Sequence, residues 1–554
     1  MTRALEVEEI EGLVEAFAEG ARRAREAGFD AIHILGAEGY GINQFLSPHY
    51  NHRTDAYGGT PEKRARFALE IVRAIKAKLG AGFPIIWDLN CNEFLEDGLT
   101  FAEAQMQAQM LEEAGVDAFR IQRGNFNRYD AIIPPWNFAP GEFVPLAAGI
   151  KKVVKHAKVE TEGRITDPAM AEEILERGDA DIIGLVRAFM ADPEWLHKAV
   201  AGRTKEIRQC IACVRCIDNC MLEKPVECAV NPRVGHEGEE EYDIRPAARR
   251  RKVLVIGGGP GGMEAAKTAA LRGHEVSLYE KGPSLGGLMS IGAVISEDFD
   301  NYLQYAQDDL RRAGVSIKTK REVTPALLES VKPDVIILAS GAEVRPLKVE
   351  GIDGPNVLSS ALMQPYGDGE AKKKTANVRS VLWAAGAKIA KSLDAGTVRR
   401  ALAMDATTGK NIVVLGDELA GYEMAHFFHK AGKKVTLVKV PEALVDGVML
   451  PLLFFLRWDG GNLPLDFASK GIEIVTDVAD LVVEAKGVRI KAEDGSERFV
   501  EADTVVMTSG SVPRGELRER LSGLGGEMHV VGDANAPRGV LEAVHEANAV
   551  ARAI

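Results

Sequence analysis

The chain has 554 residues, 46% of them apolar, and a formal net charge of −13. That length suits three or four domains with cores of their own. The negative balance speaks against nucleic acid or an anionic membrane surface as the main partner. No run of roughly 18 uncharged apolar residues would span a bilayer, and the charged stretch Met1–Glu9 holds no signal-peptide core. The expected setting is cytoplasmic, with a small molecule as substrate. Six cysteines are few for this length, and five of them lie between Cys210 and Cys228. In a reducing compartment such crowding points to metal rather than to disulfides.

From residue 8 to about 200, helix and strand patterns alternate. Glu8–Ala27 reads as an amphipathic helix ahead of the apolar run Phe29–Leu35. Thr60–Leu79 leads to Phe83–Asn90, Phe101–Ala114 to Ala118–Ile121, the segment around Lys151–Val153 to Lys158–Thr161, and Pro168–Arg177 to Ala180–Val186. This alternation implies parallel strands with helical crossovers. Five strands are legible, where a closed (β/α)8 barrel has eight.

After an acidic run, Glu237–Glu241, and a basic linker, Arg249–Arg251, the pattern changes. Lys252–Ile256 is a strand, followed by a glycine loop, a helix and the strand Glu275–Tyr279. A second unit of the same build spans Asn411–Val440.

The cysteines carry the strongest chemistry. Cys210, Cys213 and Cys216 sit three apart, and Cys228 follows after eleven residues. Three thiolates on one loop plus a distant fourth suit the corners of a 4Fe-4S cubane. Structural zinc is the alternative, although zinc ribbons favour two matched CxxC pairs. Cys220 reads as a bystander, and Cys91 has no partner by sequence.

Gly257, Gly259 and Gly262 form a GxGxxG directly after a strand and at the start of a helix. The first glycine permits the turn, the second admits a pyrophosphate, and the third packs helix on strand. Glu280, 18 residues past Gly262, is suited to a ribose hydroxyl. The alternative is a glycine turn without ligand. The second unit keeps Gly416 and Gly421 but has Glu418 at the middle position, where a side chain crowds a pyrophosphate and a carboxylate repels it. Lys439 ends its second strand, which suits the 2′-phosphate of an NADP-type nucleotide; equally, the nucleotide site is lost.

These motifs together resemble the Old Yellow Enzyme-like NADH:flavin oxidoreductases with a 4Fe-4S cluster, of 2,4-dienoyl-CoA reductase, 2-enoate reductase and trimethylamine dehydrogenase type. The resemblance rests on Gly36–Pro48 (GAEGYGINQFLSP), Asn51–Gly59 (NHRTDAYGG) and Gly163–Pro168 (GRITDP), and covers nearly the whole chain. It implies an α/β protein with a partial TIM barrel, about strands 4–8, over residues 1–205. A cluster segment would follow over 206–247. Two Rossmann-like subdomains of glutathione-reductase type complete it, with FAD on 248–365 and 500–554 and NAD(P) on 366–499. The Lys- and Ala-rich stretch 366–408 is expected to be a solvated helical insertion.

The implied reaction is reduction of an activated C=C bond with electrons from NAD(P)H, passed through FAD, the cluster and FMN. The Glu-Gly-Tyr segment is similar to that of dienoyl-CoA reductases, which makes Tyr40 the candidate proton donor; a core tyrosine at a strand end is the other reading. Gly163, Arg164 and Arg187 match the family's phosphate-binding strand ends, while either arginine would also suit a surface ion pair. Gly287, Gly532 and Asp533 are assigned to the FAD site, and Ala339–Ala342 and Thr508–Ser511 to crossings between the subdomains.

Three departures stand out. The chain starts at the helix before the fourth barrel strand, so it is expected to be a fragment, or to be completed by a second chain or in an oligomer. Asp88 stands where the family has an arginine facing FMN, and would repel charge on the reduced ring. No histidine precedes Ile133-Pro134, where Arg128 or Tyr129 substitutes. Two further readings remain: an amine dehydrogenase, favoured by the cysteine spacing, and an electron-transfer subunit without catalysis of its own.

Overall fold

A computed structural model describes residues 3–345, 347–359, 395–445, 467–508, 510–524 and 526–554. Two compact units divide between Ala188 and Phe189. Residues 366–394 of the expected helical insertion, and Ser509 at the second crossing, lie outside the described residues.

The first unit is a five-stranded parallel sheet, β1 (Ile32–Gly36), β2 (Ile85–Asn90), β3 (Ala118–Gln122), β4 (Lys158–Thr161) and β5 (Ile182–Ile183), in sequential order. Helices alternate with the strands. Pro61–Leu79 begins with Thr60 accepting from Lys63 N and with proline in its first turn. Phe101–Ala114 opens on a reciprocal Thr100–Glu103 capping box, and Pro168–Glu176 on Asp167. Each cap satisfies amides that the first turn leaves without partners.

The period of two sorts the strand residues. Trp87, Leu89, Phe119, Ile121 and Val159 are fully buried, while Asp88, Asn90, Arg120, Gln122 and Glu160 alternate with them on the other face. The last strand is shorter than the apolar run from 180 to 186 suggests. Beyond Ile183, Gly184 still donates to Thr161 O at 2.8 Å, but the chain then turns into the helix Arg187–Ala191.

The second unit holds two parallel sheets. One has the order Glu527–Val530, Val335–Leu338, Lys252–Ile256, Glu275–Tyr279, Ser316–Lys318; the other Val357–Ser359, Thr504–Met507, Asn411–Leu415, Lys434–Val438, Glu473–Val475. A three-stranded antiparallel sheet, 480–501, adjoins the second in sequence. Ala342–Arg345 and Gly510–Pro513, which begin within the two segments expected to cross between subdomains, pair antiparallel. The terminal helix Val540–Ala553 packs on Pro260–Leu271 so closely that a Cβ on Gly261 would meet Ala543 O at 2.8 Å.

Candidate functional sites

At the C-terminal end of β1, Glu38 takes a left-handed conformation, φ 65°, and Tyr40 precedes the short helix Gly41–Leu46. The Tyr40 ring meets Phe126 edge to face at 5.0 Å. Phe126 stacks on Tyr129 at 6.1 Å with 22° between planes. The structure thus brings the two candidate catalytic tyrosines into one aromatic row, with Phe126, which sequence reasoning missed, between them. Tyr40 is exposed.

On β2, Asp88 is 2% exposed. Arg120 reaches it with two hydrogen bonds, Nε at 2.7 Å and Nη2 at 2.9 Å, and His33 Nε2 lies 2.5 Å from its Oδ1. Asp88, which stands where the family has an arginine, is thus paired: β3 supplies a cation that β2 lacks. Glu38 titrates near neutrality. Burial, then Asp88, then Glu162 push it up to about 7, against the pull of Arg120. Its side chain was not singled out from sequence, although it lies two residues from Tyr40.

Arg164, with φ 60°, donates Nη1 to the carbonyls of Trp136 and Phe138. Arg187 has Nη1 buried without a hydrogen bond among the described residues. A buried donor left unpaired costs free energy on the order of 1–3 kcal/mol, and an anionic group such as a flavin phosphate would satisfy it. The residues present thus fit an FMN phosphate.

In the second unit, Gly259 caps the helix Pro260–Leu271 with φ −73° and ψ 178°. A Cβ there would meet nothing within 4 Å, whereas one on Gly262 would collide with Gly257 O. The loop is open where a pyrophosphate would lie and tight where helix meets strand. A Cβ on Gly287 (φ 55°) would stand 3.1 Å from Gly259 Cα, so this glycine also borders the cradle. Glu280 accepts from Gly258 N at 2.7 Å and Gly282 N at 2.8 Å, holding its carboxylate at the loop. Gly532 N donates to Glu546 at 2.8 Å, and burial raises Asp533. This geometry fits FAD. Glu546, missed in the sequence, lies on the terminal helix.

Cys210, Cys213, Cys216 and Cys228 are half-buried and in no disulfide, whereas Cys220 is exposed and Cys91 is buried in the first unit. Ala212 and Val214, neither of them glycine, hold φ 51° and 54°, and such strain persists only where the surroundings fix it. Ala212 N donates to Cys210 Sγ at 3.4 Å. Burial drives the Cys213 thiol well up, and the nearby Cys216, Cys210 and Cys228 add to the effect. Among the described residues no three His, Cys, Asp or Glu side chains are set to hold one metal ion. The donor set, four thiols with three of them on one loop, is one that an iron–sulfur cluster takes and that a structural zinc also takes.

The terminal helix fastens this loop. His545 Nε2 lies 2.9 Å from Cys228 O, and Arg215 donates to Glu542 at 2.8 Å.

Residues 1–206 match the family model of NADH:flavin oxidoreductase / NADH oxidase, and residues 251–529 that of pyridine nucleotide-disulphide oxidoreductase. An NADH oxidase of Thermoanaerobacter brockii is 34% identical over 98% of this chain and 77% of its own. The chain belongs to the NADH:flavin oxidoreductase / NADH oxidase family. This member joins its flavin barrel region to a pyridine-nucleotide module and is a flavin-dependent oxidoreductase. A cinnamate reductase of Clostridium sporogenes is 29% identical over the whole chain and 78% of its own length. The solved 2-naphthoyl-CoA reductase complex superposes with a TM-score of 0.81 at 29% identity, covering all of this chain and 77% of that one. No described helix is long and apolar enough to cross a membrane.

Proposed function

We propose that this oxidoreductase uses NAD(P)H to reduce the C=C bond of an enoyl-CoA or enoate, with FAD, a 4Fe-4S cluster and FMN as its redox groups. The observation that carries the reading is the row Tyr40–Phe126–Tyr129 at the ends of β1 and β3. A bound reduced flavin supplies the hydride for the β-carbon. The chain's own residues do the rest. Flat faces such as Phe126 and Tyr129 favour a planar conjugated substrate. A phenol, with an ordinary pKa of about 10, keeps its proton at neutral pH, so Tyr40 Oη can protonate the α-carbon as negative charge develops there. Arg120, held by Asp88, offsets negative charge on the inner face. The cinnamate and naphthoyl-CoA reductases among the relatives support a conjugated acyl substrate.

The cluster assignment has its own test. Cys213→Ser should lose iron while flavin content stays; unchanged iron would remove Cys213 from the ligand set. For the reaction, anaerobic protein is assayed for NAD(P)H-driven reduction of cinnamate and its CoA thioester. Tyr40→Phe should slow alkene reduction and spare NAD(P)H-to-dye transfer; equal slowing of both would reject Tyr40 as donor.

A second reading is amine oxidation. It draws support from a histamine dehydrogenase of Rhizobium, 25% identical with a TM-score of 0.76, and from the spacing Cys213–Cys216. Dye-linked oxidation of secondary and tertiary amines without alkene reduction would select it. Completion of the barrel by a second chain or in a homo-oligomer also belongs to this proposal, and a stoichiometric partner on purification would support it.

A further inference from the structure

The chain contains its own control for a nucleotide cradle. Both glycine loops follow a parallel strand and open a 12-residue helix, Pro260–Leu271 and Leu419–Lys430. In both, the third glycine lies against the carbonyl of the first: a Cβ on Gly262 would strike Gly257 O, and one on Gly421 would strike Gly416 O. The residues capping the helices share one backbone conformation, φ −73° and ψ 178° at Gly259 against φ −92° and ψ −179° at Glu418. The backbone template is thus the same. What differs is the side chain at the middle position, where Gly259 faces open space.

Glu418 is 8% exposed, and its carboxyl group folds back over the loop. A Cβ on Gly416 would stand 2.5 Å from its Oε2. Neither carboxylate oxygen takes a hydrogen bond among the described residues. The amides of Glu418 and Gly421 and the Thr508 hydroxyl lie near, but none closes a bond, and Thr508 Oγ1 spends its proton on Leu415 O at 2.6 Å. A buried carboxyl without donors costs free energy, yet it sits at the helix N-terminus where the peptide dipoles favour an anion. Asp417 and Glu423 crowd the same turn, and burial pushes both upward. Lys439, at the end of the neighbouring strand, is exposed and is a nearby cation acting on Asp417.

We propose that the Glu418 side chain fills the pyrophosphate subsite of the second nucleotide cradle, so that this unit admits a nicotinamide dinucleotide only when Glu418 is displaced. Glu418 is then a specificity-determining residue, and the NAD(P)H demand of the proposed reaction meets a built-in barrier at this loop. The inference rests on reading this unit as the nicotinamide domain.

The test is calorimetric titration of the FAD-loaded, oxidised full chain with ADP-ribose, which carries the pyrophosphate but has no redox chemistry. Wild type should bind weakly, and Glu418→Gly at least tenfold more tightly, about 1.4 kcal/mol. Should the glycine variant lose its fold by circular dichroism, Glu418→Ser reads the same volume with a good helix cap. Glu418→Gln keeps the bulk and should gain less than Glu418→Gly. Wild type binding as tightly as the small variants, glutamine recovering as much as glycine, or folded small variants that bind no ADP-ribose would each overturn the proposal. Alkene reduction driven by a dithionite-reduced viologen dye bypasses this cradle and reports separately on the proposed reaction.

Discussion

Arg120 on β3 grips Asp88 on β2 with both carboxylate oxygens engaged, Nε to Oδ1 at 2.7 Å and Nη2 to Oδ2 at 2.9 Å. The two residues are cross-strand neighbours, in register across the parallel pair. Asp88 is almost wholly buried, so removing Arg120 leaves its carboxylate with only His33 beside it. Arg120→Ala should destabilise the protein by about 2–4 kcal/mol, toward the lower side of buried-pair losses because His33 remains. Urea unfolding checks this, and Asp88→Asn in the Arg120→Ala background should recover part of the loss. A loss below about 0.5 kcal/mol, the ordinary range for exposed pairs, would show the pair to be superficial.

Glu38 gives the barrel end its pH response. Its carboxyl is pushed up to about 7, first by burial and then by Asp88, with Arg120 opposing. Raising the pH through 7 therefore adds a negative charge two residues from Tyr40. Negative charge also develops on the substrate as the alkene takes up hydride, so the rate of alkene reduction should fall above about pH 7. Glu38→Gln should flatten that limb of the profile. Arg120→Ala should move it to lower proton concentration, because the cation that holds Glu38 down is gone. A limb unchanged in Glu38→Gln would assign the ionisation elsewhere.

Gly259 and Gly262 separate binding from folding. Space is open around Gly259, so the apo chain can carry Gly259→Val at little cost, while a pyrophosphate against that backbone cannot coexist with the side chain. Gly262→Val strikes Gly257 O and must move the helix. We expect Gly259→Val to purify folded with FAD content lowered at least tenfold, and Gly262→Val to lose fold and FAD together. Flavin absorbance per chain with circular dichroism distinguishes the two. Normal flavin in folded Gly259→Val would reject the cradle.

Much of this was legible because local chemistry and global fold agree. The strands Lys252–Ile256 and Glu275–Tyr279 and the helix Phe101–Ala114 fall where hydrophobic period and caps put them. The glycine loop was readable because each glycine answers a separate steric demand. What could not be read is what depends on which strands become neighbours. The partner of Asp88 was not legible, because Arg120 lies 32 residues on and meets it only through register. Phe126 and Glu546 carry no motif and acquire meaning only from the ring or amide they face. Glu418 shows the reverse: its position in the motif was plain, but whether its carboxyl turned outward or over Gly416 is a rotamer question that spacing leaves open.

That inward rotamer makes a stability signature. Burial raises Glu418 from an ordinary 4.5 to about 7, so between those values the folded state holds a proton that the unfolded state has lost. Stability is then fully present below about pH 4.5, falls as pH rises through 7, and levels off above it. At about 1.4 kcal/mol per pH unit the loss is on the order of 3 kcal/mol. Glu423, raised to about 8 by burial and by Glu418, extends the decline in the same direction. Glu418→Gln should remove the part of the decline that levels off near pH 7, and the double variant with Glu423→Gln should flatten the rest. Thermal melts of the FAD-loaded chain from pH 5 to 9 check this. Equal pH slopes in wild type and Glu418→Gln would mean that the carboxyl is solvated and the second cradle open.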